Sequence, residues 1–306
     1  MKYPLEERLI WFKNALVPIK EAKVMVMSPT FQYGLSVFEG IPCYWNDEEQ
    51  IMYAFRLEDH FDRLLRSATL LQLPCPYTKE QMCQALKQVV SANAFDENIS
   101  VRQTLFLDNF GSWGSEGPVD MFIAPTPREF TNSEYHQNGL RVCISSWKRI
   151  SDNTLSPRIK CGANYINSRM GQREAVRNGY NTCLFLNENK TVAEGPGSCL
   201  FMVSKGKLIT PLLTDSVLES ITRDSVITIA RDMGIDVVER SINRTELYTS
   251  DEAFLCGSAM EITPVTSVDG YKISEAEGSV TGKIRYTYLN AASHRDSRYE
   301  QWLTAI

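Results

Sequence analysis

Histidine is scarce in this chain, with 3 among 306 residues. His60, His136 and His294 lie far apart, which excludes a histidine-rich metal centre, and each reads as a surface side chain. No GxSxG elbow accompanies any of them, so a Ser/His/Asp hydrolase has no anchor here. Neither GxGxxG nor GxxxxGK[ST] occurs, and Gly111-Ser112-Trp113-Gly114-Ser115-Glu116-Gly117 reads as a flexible loop, not a phosphate cradle. The 8 cysteines (Cys43, Cys75, Cys83, Cys143, Cys161, Cys183, Cys199 and Cys256) form no CxxC and no tight framework, the pattern of reduced thiols in a core. No stretch approaches the roughly 18 uninterrupted apolar residues of a membrane helix. The acidic start, Met1-Lys2-Tyr3-Pro4-Leu5-Glu6-Glu7-Arg8, lacks the apolar run of a signal peptide, so the expectation is a cytoplasmic protein with no membrane partner. In that setting Asn98-Ile99-Ser100, Asn189-Lys190-Thr191 and Asn243-Arg244-Thr245 are chance glycosylation triplets. Charge of one sign is missing too: 32 basic residues against 37 acidic give −5, with no general attraction for nucleic acid.

What is present is an ordinary globular composition, 43% hydrophobic and 23% charged, in a length that fits two domains. Residues 24–53 mix apolar and turn residues and read as β-structure. Leu57, Phe61, Leu64, Leu65, Ala68 and Leu71 recur at helical spacing, which predicts an amphipathic helix over 57–72 ended by Pro74. Thr78 and Gln81 form a capping box for a second helix whose core face is Met82, Leu86, Val89 and Val90. Strands follow at 99–107 and 119–124. Residues 125–139 are polar, proline-containing and aperiodic, and read as an interdomain linker. Beyond it come a strand at 140–147, a helix over 165–178 stopped by Gly179, and strands at 182–186, 191–194 and 198–203. Turns fall at 187–190 and 205–207. After Pro211 a helix carries Val226, Ile229, Ala230 and Met233 on one face, Gly234 stops it, and a strand follows at 235–239. The expected organisation is therefore α+β in two halves, 1–124 and 140–306, joined by 125–139, with no internal repeat.

Composition goes no further, but short stretches do. They are Tyr33-Gly34-Leu35-Ser36-Val37-Phe38-Glu39-Gly40, His60-Phe61-Asp62-Arg63-Leu64, Lys160-Cys161-Gly162-Ala163-Asn164-Tyr165, Glu194-Gly195-Pro196-Gly197-Ser198-Cys199-Leu200-Phe201, and Ile221-Thr222-Arg223-Asp224 with Cys256-Gly257-Ser258-Ala259-Met260-Glu261-Ile262-Thr263-Pro264. In this order, from about residue 20 to about residue 270, they resemble the fold-type IV pyridoxal-phosphate enzymes, and most closely the branched-chain aminotransferases. The resemblance implies a two-domain fold with a smaller N-terminal domain, 1–124, and a larger cofactor-anchoring domain, 140–306. It also implies a homodimer or higher homo-oligomer, pyridoxal 5′-phosphate as cofactor, and amino acids and 2-oxo acids as substrates.

By this resemblance Lys160 is the cofactor anchor and catalytic residue, a lysine preceded by apolar Ile159 and followed by small Gly162 and Ala163. Read alone it is a solvated surface lysine. Glu194, before the turn Gly195-Pro196-Gly197, is the carboxylate for the pyridine nitrogen, where it keeps the ring an electron sink; otherwise it caps a turn. Tyr165 matches the hydroxyl against the ring 3-oxygen, and Leu218 the apolar residue packed on the ring. Ile221 and Thr222 open a helix and present N–H groups, a hydroxyl and the positive end of the helix dipole to a phosphate. Ser258 matches a further phosphate contact and Arg63 supplies a charged fork, although Arg56, Arg63 and Arg66 also read as a solvated face.

Substrate contacts carried by the resemblance are Tyr33, Phe38 and Gly40, with backbone groups of Gly257, Ser258 and Ala259 for the α-carboxylate and Arg102 for the side-chain carboxylate of glutamate, the amino donor. The sequence departs from the family at Pro42, where many members have arginine, and at Ser100 and Phe130, where they have tyrosine. These changes bear on substrate choice and leave the cofactor residues intact. The expected activity is transamination of a branched-chain or related apolar amino acid. The alternatives are a D-amino acid or amine transaminase or a lyase of the same fold, and a non-catalytic binding protein that has kept it.

Overall fold

The computed structural model describes residues 5–128, 135, 138–274 and 278–306. They form two compact units, one built from the described residues up to Arg128 with Ile159–Ala163 and Ala291–Ile306, the other from those up to Arg158 with Asn164–Asn290. The expected halves kept 140–306 together. Two pieces of that range instead join the first unit: Ile159, Cys161 and Ala163 pack on its core, and Leu303–Ala305 adds a strand to its sheet.

The first unit holds a 7-stranded antiparallel sheet in the spatial order Leu303–Ala305, Ile51–Phe55, Ser36–Asn46, Ile99–Leu107, Val119–Pro127, Leu9–Phe12, Ala15–Pro18. Its long strand, Ser36–Asn46, alternates as strands must. Val37, Ile41 and Cys43 enter the core, where they meet Leu57, Phe61, Leu64 and Ala68 of the helix Leu57–Leu70 and Met82, Leu86 and Val89 of the helix Lys79–Asn93. The capping box at Thr78 and Gln81 is formed in both directions.

The span read as β from residue 24 is interrupted. Pro29–Tyr33 is a short helix, because Ser28 accepts a hydrogen bond from the Phe31 N–H, proline sits in the first turn, and Gly34 closes it in the left-handed region at φ 73°. The linker range is likewise part strand, since Val119–Pro127 pairs with Ile99–Leu107 along its whole length. Phe130 and His136 lie outside the described residues.

The second unit holds a mixed sheet in the order Val237–Glu239, Lys207–Thr210, Cys199–Ser204, Glu252–Gly257, Glu261–Val268, Leu140–Lys148, Thr182–Leu186, with Tyr271–Lys272 beside Glu261–Val268. Helices Tyr165–Arg177, Ile221–Asp232 and Ser279–Ala292 belong to this unit, with the last two residues of the third helix in the first. Residues 191–194, expected as a strand, make a single bridge from Val192 to Leu186, because the Gly195 N–H turns back to the Ser198 carbonyl and takes the chain out of the ladder. The strand expected at 235 starts at Val237, since the Ile235 N–H closes the preceding helix on the Ala230 carbonyl. Among the described residues no helix is long and apolar enough to cross a membrane, and no group of His, Cys, Asp and Glu could hold a metal ion.

Candidate active site

The first unit assembles one group of the expected residues. The register of Ser36–Asn46 against Ile99–Leu107 pairs Phe38 with Thr104, Gly40 with Arg102 and Pro42 with Ser100, all on the face opposite the helices. The Arg102 guanidinium lies 3.9 Å from the centre of the Phe38 ring. A Cβ added at Gly40 would meet nothing within 4 Å, so this face has open space where the neighbouring strand carries a cation. Tyr33 ends the short helix and is exposed.

Lys160 is half-buried and anchored by its backbone. Its N–H donates to Ser67 Oγ at 3.2 Å, and its carbonyl accepts from the Phe38 N–H at 3.0 Å. The small residues around it pack closely: a Cβ on Gly34 would come to 3.3 Å from that of Ala163, and one on Gly162 to 3.2 Å from Ser36 Oγ. The Lys160 ammonium sits 5.1 Å from the Phe38 ring centre, on the same aromatic residue that carries Arg102.

On the other face of the strand, Glu39 is fully buried. Arg63 Nε donates to Glu39 Oε1 and Nη2 to Oε2, each at 2.7 Å, and His60 Nδ1 is 2.7 Å from Oε2. Burial alone would raise the Glu39 carboxyl, but the charge of Arg63 and the hydrogen bonds from Arg63 and His60 hold it far below the usual carboxylate range. Burial holds the His60 imidazole below its ordinary value; Glu39 pulls it up, and the cations of Arg63 and Lys160 oppose this. Two sequence readings are corrected here. His60 is no surface histidine, since its exposure is 0%, and Arg63 is no member of a solvated face, since it is 4% exposed and bound to Glu39, whereas Arg66 is exposed.

The second unit carries the other group. Glu194 is 3% exposed, and Arg149, 8% exposed, holds its Oε1 with Nε at 3.0 Å and Nη2 at 2.7 Å. Glu194 Oε2 accepts from the Leu218 N–H at 3.2 Å and from the Cys199 thiol at 3.7 Å. Arg149 Nη1 reaches Asn167 Oδ1 and Ser168 Oγ on the helix that Tyr165 opens. Ile221 and Thr222 are the first residues of the helix Ile221–Asp232 and are buried, with Ser220 Oγ accepting the Arg223 N–H as the cap. Gly257 ends a strand where backbone comes close: a Cβ there would lie 3.2 Å from the Gly197 carbonyl oxygen. Ser258 and Ala259 form the turn that follows.

Each unit thus fixes one chemically versatile group, a backbone-held lysine in the first and an arginine-paired buried glutamate in the second. The family described as amino-transferase class IV matches residues 36–268. The chain belongs to the class IV aminotransferase family. A probable branched-chain-amino-acid aminotransferase of Aquifex aeolicus (strain VF5) is 35% identical over 298 residues, 97% of this chain and 96% of the relative. Among solved structures, the branched-chain aminotransferase of Thermoproteus uzoniensis with norvaline superposes with a TM-score of 0.93 at 40% identity, covering 97% of this chain and 99% of that one. The T.th. branched-chain amino acid aminotransferase complexed with N-(5′-phosphopyridoxyl)-L-glutamate gives a TM-score of 0.91 at 35% identity, covering 98% and 99%. The resemblance read from short stretches, and the two-domain α+β fold it implied, hold for this class IV aminotransferase across nearly its full length.

Sequence reasoning passed over Glu39 and His60 as functional groups although both lie inside the stretches it used. It missed Arg149 altogether: a basic residue after the strand Leu140–Lys148 has no motif, and only the fold brings it to Glu194.

Proposed function

We propose that this class IV aminotransferase uses pyridoxal 5′-phosphate to transfer the amino group of a branched-chain or related apolar amino acid to a 2-oxo acid, with glutamate as a natural donor. The observation that carries the reading is the pair of fixed groups, Lys160 held by Ser67 and Phe38, and Glu194 held by Arg149. When bound, the cofactor supplies an aldehyde for covalent capture of an amine and a ring that withdraws electrons from the substrate's α-carbon. Lys160 Nζ anchors it and carries the proton at that carbon. Glu194 keeps a proton on the ring nitrogen, and Arg149 supplies the charge that a buried carboxylate needs. Leu218 packs on the ring and Tyr165 meets its 3-oxygen. Ile221, Thr222, Ser258 and Arg63 take the phosphate, the first two at the positive end of the helix Ile221–Asp232.

Gly257, Ser258 and Ala259 receive the α-carboxylate, and Tyr33, Phe38, Gly40 and Arg102 sort the side chain. Arg102 meets the carboxylate of glutamate; the solved T.th. relative is complexed with a phosphopyridoxyl-glutamate conjugate. Pro42 and Ser100 face each other across two strands, on the same side as Gly40 and Arg102. With neither arginine nor tyrosine there, the pocket has fewer polar contacts and more room. One methylene in an apolar site is worth only about 1–3 kcal/mol, so such a pocket separates substrates weakly.

A homodimer is part of the proposal. Val24, Met25, Val26, Met27, Phe110 and Trp113 are all at least 44% exposed, and the Met27 carbonyl accepts the Gly111 N–H, so the two loops offer one apolar surface for a second copy. The cytoplasm is the compartment the eight free cysteines support. The test is a panel of amino donors and 2-oxo acids with purified protein. Leucine, isoleucine and valine should all react, and at least one bulkier amino acid should match them in kcat/KM. Strict preference for those three would refute the roomy pocket, and no transamination at all would refute the function.

A further inference from the structure

Glu39 and His60 are buried, ionisable, and unused by the chemistry above. We propose that His60 is a positioning residue, which aligns Glu39 and, through Glu39, the guanidinium of Arg63 for the cofactor's phosphate; this rests on the reading of Arg63 as a phosphate contact. The helix Leu57–Leu70 sets His60 and Arg63 three residues apart on one face, and both converge on the same carboxylate. Two parallel N–H bonds from Arg63 fix the guanidinium plane relative to the Glu39 carboxylate. The third donor, from His60, fixes the carboxylate itself. Ser67, one turn further along the same helix face, holds the Lys160 N–H, so this face bears on both the anchor lysine and the phosphate arginine.

Protonation follows from geometry. Glu39 is ionised and can only accept, so His60 Nδ1 carries the hydrogen. Burial keeps the imidazole neutral, so Nε2 keeps its lone pair, and it is buried with no hydrogen-bond partner among the described residues. Leaving a buried polar atom unsatisfied carries a penalty that a leucine or phenylalanine in this core would avoid. The imidazole is thus not there for packing. What it supplies and an apolar side chain would not is a second N–H on Glu39 Oε2, beside that of Arg63 Nη2.

The test compares binding of pyridoxal 5′-phosphate and of pyridoxal, which lacks the phosphate, to cofactor-free protein by fluorescence titration. The ratio of the two affinities is the phosphate contribution. His60→Leu should lower that ratio about tenfold, the worth of one hydrogen bond to a charged group, and leave pyridoxal binding within about twofold. His60→Asn, whose amide nitrogen occupies the place of Nδ1, should restore most of the ratio. In the Arg63→Ala background His60→Leu should change the ratio no further. An unchanged ratio in His60→Leu, equal weakening of both ligands, or a persisting effect without Arg63 would overturn the proposal. Arg63→Ala by itself tests the underlying reading: an unchanged ratio there removes Arg63 from the phosphate, whatever His60 does. If His60→Leu does not fold, His60→Met, which likewise has no N–H to give Glu39, carries the same expectations.

Discussion

Removing Arg149 should destabilise the second unit far more than a surface charge would. Arg149 and Glu194 are 8% and 3% exposed, and Arg149→Met leaves the carboxylate buried with, among the described residues, the Leu218 N–H and the Cys199 thiol. Breaking a buried ion pair from one side costs about 3–5 kcal/mol. The two remaining donors place this case at the lower end, about 3 kcal/mol. For a unit of this size each kcal/mol moves the transition by about 2–4 °C, so a fall of roughly 6–12 °C is expected. Glu194→Gln should cost a similar amount, because it strands the guanidinium. The double variant should recover most of the loss, since neither charge remains and methionine fills the arginine stem's volume. The assay is urea and thermal unfolding of cofactor-free protein, so that lost cofactor binding does not count as lost stability. Additive single effects, or an Arg149→Met loss below about 1 kcal/mol, would show that the pair is not coupled and that Arg149 does not support Glu194.

Lys160→Ala should abolish the visible absorption of bound cofactor while leaving the fold intact by circular dichroism; wild-type absorption would mean another lysine is the anchor. Glu194→Gln should retain cofactor and lose turnover steeply, as read in single-turnover kinetics, and unchanged turnover would remove Glu194 from the chemistry. Arg102→Ala should raise KM for glutamate at least about tenfold and leave leucine nearly unaffected, and equal effects on both would refute the donor assignment. The first unit should lose stability as pH falls below about 6.5, because His60 must stay neutral beside Arg63 and Lys160 while the unfolded chain takes up a proton there. A group whose folded value is depressed in this way contributes above its unfolded value and loses that contribution as acid is added. His60→Asn should therefore remove about one proton's worth of slope below about pH 6.5, and a wild-type slope in that variant would sink the assignment.

The helix Leu57–Leu70 and its capped successor were legible because an apolar face and a capping box are local signals, and both survive in three dimensions. The strand Leu9–Phe12 and the terminal strand Leu303–Ala305 were not, since both are short, and the terminal one owes its place to a neighbour distant in sequence: Leu303 pairs with Phe55. The segment Ile159–Ala163 shows the same limit. Periodicity sees five residues after a loop, whereas what assigns them to the first unit is Cys161 bridging Val37 and Gly162 fitting under Ser36.

The site divides along the same line. Lys160, Glu194 and Thr222 were singled out by the resemblance, which carries a proposed role to each position that matches a motif. The groups that hold them were not, because a supporting residue has only to arrive at the right point in space. Arg149 stands 45 positions before Glu194, and Glu39 stands 24 before Arg63. Helix spacing put His60 and Arg63 on one face, but that spacing alone did not say whether the face met solvent or a buried carboxylate. The strand Ser36–Asn46 decides it, by alternation: Phe38 and Gly40 are turned toward Arg102, so Glu39 between them must enter the core. A carboxylate at such a place needs a cation, and the helix packed over it is where one must be found. The pairing of Glu39 with Arg63 was therefore derivable from the strand and helix periods together. The environment of His60 Nε2 was not, since it depends on what lies beyond the ring.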